Sequence, residues 1–118
     1  MKKPLLLLLA SLTAMAALSL PTLGSGATQT VRVREVDGRI MLSARPRAGM
    51  VRFVVRNAGG DEHNFVLRGG GKSWATRILA GGGSVTITAK LRKGIRYTYW
   101  CAVSDHAQEG MRGSFRTR

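Results

Sequence analysis

Apolar and polar residues alternate along most of the chain after residue 28. From Thr30 to Val36, Val31 and Val33 take one side while Arg32 and Arg34 take the other. Successive side chains on a strand point to opposite faces, so this pattern predicts a half-buried strand. Asp37-Gly38 is a pair suited to a two-residue hairpin turn. Arg39 to Ala44 returns with Ile40 and Leu42 as its apolar set, and Pro46 and Gly49 punctuate the next turn. Val51, Phe53 and Val55 alternate with Arg52 and Arg56, and Asn57-Ala58-Gly59-Gly60 ends that strand. His63 to Leu67 reads as a short strand closed by Gly69-Gly70-Gly71. Lys72 to Ala80 fits either a short strand around Trp74 to Leu79 or a loop with one helical turn. Val85, Ile87, Ala89 and Leu91 alternate with threonines and Lys90. Beyond Lys93-Gly94, Ile95, Tyr97, Tyr99 and Cys101 share one face, and Thr98 and Trp100 share the other. Arg112 to Thr117 makes a last short strand.

No segment sustains a helical period. Short strands at close spacing with glycine-rich turns predict an all-β sandwich or barrel. There are no internal repeats, and 118 residues fit one small domain. The N-terminus stands apart. Met1-Lys2-Lys3 is basic, Leu5 to Leu20 is uncharged and strongly apolar, and Ser25 and Ala27 are small residues where a signal peptidase reads them. Residues 1–27 are therefore expected to be a secretory signal peptide, and 28–118 the folded domain. An uncleaved membrane anchor is the other reading of the apolar run. Export places the domain in a periplasm or outside the cell.

Composition changes the picture twice. The chain has a single cysteine, so it cannot form an internal disulfide, and a free thiol is a liability in an oxidising compartment. A lone cysteine in an exported protein asks for an explanation, and metal ligation supplies one. The net charge is +13, of which Lys2 and Lys3 contribute two. Such a balance points to nucleic acid, an anionic membrane surface or an acidic partner. Export argues against nucleic acid, and arginines on the outer faces of strands account for much of the excess by solubilising them.

The candidate chemistry lies between Tyr97 and Met111, in YTYWCAVSDHAQEGM. Cys101, His106 and Met111 are spaced Cys-x4-His-x4-Met, and the other histidine, His63, stands 38 residues before the cysteine in DEHNF. One thiolate, two imidazoles and a weak thioether are the ligand set of a blue-copper site, three strong ligands in a plane with a long axial methionine. The bland readings are an inert buried cysteine, a histidine capping a strand and a methionine filling the core. Zinc also takes Cys and His, although structural zinc prefers more thiolates and gains little from a thioether.

The chain resembles the cupredoxins, the family of plastocyanin, azurin and rusticyanin. The resemblance rests on His63-Asn64-Phe65 and Tyr97-Thr98-Tyr99-Trp100-Cys101, then His106 and Met111 flanked by Gly110 and Gly113. The ligand-loop spacing is most similar to rusticyanin. The resemblance implies a cupredoxin-like Greek-key β-sandwich of about seven to eight strands. It implies one mononuclear type 1 copper held by His63, Cys101, His106 and Met111. It implies that Asn64 supports the site by hydrogen-bonding near the thiolate and pinning the loop. Its functional implication is single-electron transfer by transient docking to a redox partner such as a cytochrome or oxidoreductase, as a monomer and not as an enzyme. Copper capture or delivery is the alternative, and an interaction module that keeps only the fold is a third reading. Both histidines are spent on one centre, so no second copper centre and no Ser-His-Asp arrangement can be assembled.

Asp61, Glu62, Asp105 and Glu109 crowd the candidate ligands in sequence, while Glu35 and Asp37 belong to the first hairpin. A polarised molecule is expected, with an acidic copper end on a basic body. Ala102, Val103, Ala107 and Gly110 would form an apolar docking patch around His106, interrupted by Asp105 and Glu109. Trp100, beside Cys101 but on the other strand face, is either packing or a second electron exit.

Overall fold

The computed structural model describes residues 1–4, 10–11, 13–17 and 27–118. The expected signal peptide, residues 1–27, thus lies largely outside the described residues. Eight strands follow: β1 (Gln29–Val36), β2 (Arg39–Leu42), β3 (Gly49–Asn57), β4 (Val66–Gly69), β5 (Lys72–Ala75), β6 (Ser84–Leu91), β7 (Arg96–Trp100) and β8 (Arg112–Arg116). They form two four-stranded sheets, ordered β2-β1-β3-β6 and β5-β4-β7-β8. β1 and β3 pair in parallel, and the remaining pairs are antiparallel. This is the all-β sandwich that the alternation predicts.

The inward faces are those expected. Val31 and Val33 of β1 and Val51, Phe53 and Val55 of β3 are buried, while the arginines between them are exposed. Sheet register places Val31 beside Phe53 and Phe53 beside Ile87, so one apolar layer forms across the sheet. The opposite sheet contributes Leu67, Tyr97 and Phe115, the last two stacked with centroids 5.6 Å apart. Among the described residues, every strand and every buried side chain lies between residues 29 and 117, so a chain beginning at Thr28 contains the whole sandwich and its core.

The parallel course of β1 and β3 gives the sandwich two distinct ends. The Asp37-Gly38 hairpin and the loops 58–65, 76–83 and 101–111 gather at one end. The turns 43–48, 70–71 and 92–95 and the start of β1 gather at the other.

Three local expectations change. The strand expected from His63 begins only at Val66. His63 makes a single bridge to Leu79, and the Phe65 amide donates to the Thr76 hydroxyl at 2.9 Å, so side chain and loop satisfy the backbone before the ladder starts. In the ambiguous segment the strand is Lys72–Ala75, with no helical turn after it. β7 closes at Trp100, and Cys101 lies just beyond, its amide donating to the Met111 carbonyl at 3.0 Å.

Glu35 follows the alternation rather than its polarity. It shares the inward face with Val31 and Val33 and is fully buried, and neither carboxylate oxygen has a hydrogen-bond partner. Burial pushes its carboxyl up to about 8, because a charge there would lose its hydration.

Candidate metal centre

The site is assembled by two loops and one hairpin. The 58–65 loop is fixed first by Asn57, which is fully buried at the end of β3. Its amide nitrogen donates to the carbonyls of Asp61, at 2.7 Å, and Leu79, at 2.8 Å, and its side-chain oxygen accepts from Gly59 at 2.9 Å. The loop therefore has its polar groups paired inside the protein, and His63 is held at 0% exposure. The 101–111 loop curls through successive turns, with Ser104 in the left-handed region at φ 47°. The Met111 amide donates to the His106 carbonyl at 3.0 Å, which draws the loop's two halves together. Asn64 ties the loops to each other: its side-chain oxygen accepts from the Ala102 amide at 2.7 Å.

These constraints bring three of the four predicted donors to one place. Nδ1 of His63 and Nδ1 of His106 are 3.1 Å apart. Cys101 Sγ lies 3.9 Å from the first and 3.7 Å from the second. The donor atoms all fall within 4.8 Å of one another. Met111 is fully buried at the end of the same loop and Cys101 is fully buried beside it, whereas His106 is half-buried.

The distances can be tested against a cation. With bonds of about 2.05 Å to nitrogen and 2.3 Å to a thiolate, they correspond to ligand–metal–ligand angles of roughly 100°, 115° and 125°. Those angles sum to about 340°, which is a flattened, nearly trigonal arrangement. The donor set therefore fits a first-row cation. Without one, two imidazole nitrogens 3.1 Å apart can form at most one hydrogen bond.

Asp37 is the residue that sequence reasoning missed. Its Oδ1 accepts from His63 Nε2 at 2.9 Å and from the Asp61 amide at 3.1 Å, and its Oδ2 accepts from the Gly60 amide at 3.3 Å. The Asp61 amide first, and then the His63 ring, hold its carboxyl below the ordinary range. A carboxylate only accepts, so His63 carries its proton on Nε2, and Nδ1 is left with a free lone pair facing the other donors. The hairpin also touches the ligand loop directly. A side chain on Gly110, at φ 116°, would meet the Gly38 carbonyl at 2.7 Å. Asp-Gly signalled a turn, but nothing local in the sequence signalled that this turn folds over the site.

The acidic end is present, tempered by Arg77 on the 76–83 loop and by Arg39 and Arg112 at the strand ends that face it. Asp37, Asp61, Glu62, Asp105 and Glu109 all lie on the loops of this end, and the sixth acid, Glu35, is buried. The expected apolar patch is thinner, because Val103 packs against the core. Trp100 is half-buried on the outward face with the Arg68 guanidinium 5.3 Å from its ring centre, so a cation covers it.

Solved structures of similar shape carry the same architecture. Reduced auracyanin from the photosynthetic bacterium Roseiflexus castenholzii superposes with a TM-score of 0.65 at 20% identity, over 79% of this chain and 99% of that one. Auracyanin B gives 0.64 at 22% identity, over 81% and 93%. The fold is that of a cupredoxin. A copper-containing nitrite reductase from Thermus scotoductus also matches, with a TM-score of 0.56 at 15% identity over 79% of this chain, which spans 31% of that protein. No protein-family model and no curated protein sequence matches the chain significantly. At these identities the cupredoxin likeness concerns architecture, and the chemistry of the site rests on the side chains above.

Proposed function

We propose that this chain is an exported electron carrier with one type 1 copper, which His63, Cys101, His106 and Met111 would hold. The observation that carries the reading is the convergence of the only cysteine and both histidines on one point, with two of the three fully buried. The thiolate, imidazoles and thioether suit copper better than zinc. Of the similar structures, one is a nitrite reductase that contains copper and another was reduced with dithionite.

Bound copper would supply a one-electron couple. The protein's own part is to hold the donors still and keep water out. Asn57, Asn64 and the Cys101–Met111 and Met111–His106 backbone bonds fix the two loops. A site that barely moves between two charge states exchanges electrons with little reorganisation. His106, the one half-buried donor, gives the partner its point of approach. The acidic rim around it suits a basic partner face, and such docking weakens as salt rises.

The test is Cu(II) titration of the domain Thr28–Arg118, followed by visible absorption and voltammetry. An intense blue band with a reversible one-electron wave supports the carrier. Copper that binds but passes readily to a chelator or an acceptor protein, with no reversible wave, favours capture or delivery. No binding at all returns the chain to an interaction module.

A further inference from the structure

We propose that the end of the sandwich opposite the candidate metal centre is a docking surface for anionic phospholipid. Arg45 and Arg47 on the turn after β2, Lys72 at the start of β5, and Arg92 and Lys93 on the turn before β7 are all exposed there. No Asp or Glu shares this end, because five of the six acids stand on the loops around the candidate metal centre and the sixth is buried in β1. The cations belong to three separate turns. They are brought together by register: Gly49 pairs with Leu91, the Ala48 amide donates to the Arg118 carbonyl at 3.2 Å, and a side chain on Gly70 would lie 3.8 Å from Arg92 Cδ.

Two further observations favour lipid over an acidic protein. The chain enters the fold at this end. Gln29 opens β1 opposite Val51, and its side-chain oxygen accepts from the Arg47 amide at 2.9 Å, so the chain that follows the apolar sequence Leu5 to Leu20 enters the fold beside the basic turns. A groove of about 520 Å³ also opens beside them between the edges of β2 and β8. Leu42, Tyr99 and Phe115 offer it an apolar surface, and Arg45, Arg96 and Arg116 surround it with guanidinium groups. Cations beside partly exposed apolar side chains match a phosphate attached to acyl chains. Docked this way, the protein lies on an anionic membrane with the acidic end and its donors pointing away, whether or not residues 1–27 remain attached.

Each cation near an anionic bilayer strengthens binding by about five-fold at moderate salt. The experiment is co-sedimentation of metal-free Thr28–Arg118 with phosphatidylcholine vesicles, with or without about 30% phosphatidylglycerol. One variant carries Arg45→Gln, Arg47→Gln, Lys72→Gln, Arg92→Gln and Lys93→Gln. A control of equal charge carries Arg32→Gln, Arg34→Gln, Arg52→Gln, Arg56→Gln and Arg77→Gln, on the outer face of the first sheet and on the 76–83 loop. Thermal melting verifies that both are folded. The expected result is binding only to the anionic vesicles, weakened at least ~100-fold in the first variant and less than about ten-fold in the control. Equal losses in both would overturn the proposal in favour of bulk charge. Absence of binding to the anionic vesicles would overturn it too, as would binding to polyglutamate in their place. None of these readouts depends on copper, so they stand or fall apart from the proposed redox role.

Discussion

One end of this sandwich is acidic and holds every candidate donor; the other is basic and holds none. The same strands connect them, and β1 runs from the basic end to the acidic one. The ends differ in how their turns are built. The basic end closes with turns of two to six residues, whereas three of the four connections at the acidic end run to eight or eleven. A short turn only reverses the chain. A long loop can aim a side chain, but it must be ordered, and that entropy has to be offset by internal bonds. Asn57, Asn64 and Asp37 supply such bonds at the acidic end.

The strongest way to separate the ends is Cys101→Ser. It should abolish an intense visible band on Cu(II) titration while leaving the fold in place. Lys93→Gln at the basic end should leave the spectrum unchanged. Next in size is Asp37→Asn. Loss of the carboxylate behind His63 should weaken copper binding by about ten- to a hundred-fold. It should also raise the reduction potential, since a nearby negative charge favours the oxidised ion. Competition with a chelator and voltammetry measure the two effects, and Lys72→Gln should change neither.

Backbone makes a finer comparison. Gly110 and Gly71 both have positive φ, but an added side chain at Gly110 meets the Gly38 carbonyl, and at Gly71 it meets nothing within 4 Å. Gly110→Ala should therefore lower the stability of the metal-free domain by about 1–3 kcal/mol, and Gly71→Ala by ~1 kcal/mol or less. Thermal or urea denaturation would show the difference.

The smallest effect concerns Glu35, which belongs to neither charged end. Its folded carboxyl titrates near 8, above the ordinary 4.5, so the folded state keeps a proton that the unfolded chain gives up. Stability from this group is complete below about pH 4.5 and declines as pH rises toward 8. Glu35→Gln should flatten that decline and stabilise the metal-free domain by about 1 kcal/mol at pH 8, the gain being limited because a buried amide also lacks partners. Denaturation of both forms across the pH range gives the slope.

Most strands were legible because alternation, Asp37-Gly38 and the glycine-rich breaks are local signals. The misread strand start at His63 has a physical cause: Thr76 and Leu79, far along the chain, take the hydrogen bonds that a ladder would have used. The candidate donors were legible because the chain holds only three Cys and His residues, and two of them share one loop.

The sequence by itself therefore determined an alternating β-chain, its turn points, and the chemical types available for a site. Tertiary structure alone decided which donor atoms face one another and that Asp37 sets the tautomer of a histidine 26 residues away. It also decided that Glu35 faces inward without a partner, and that the other five acids, scattered along the chain, gather at one end. Periodicity and turn propensity act over a few residues. Loop docking and strand register act across the whole sandwich, and no short window of sequence contains them.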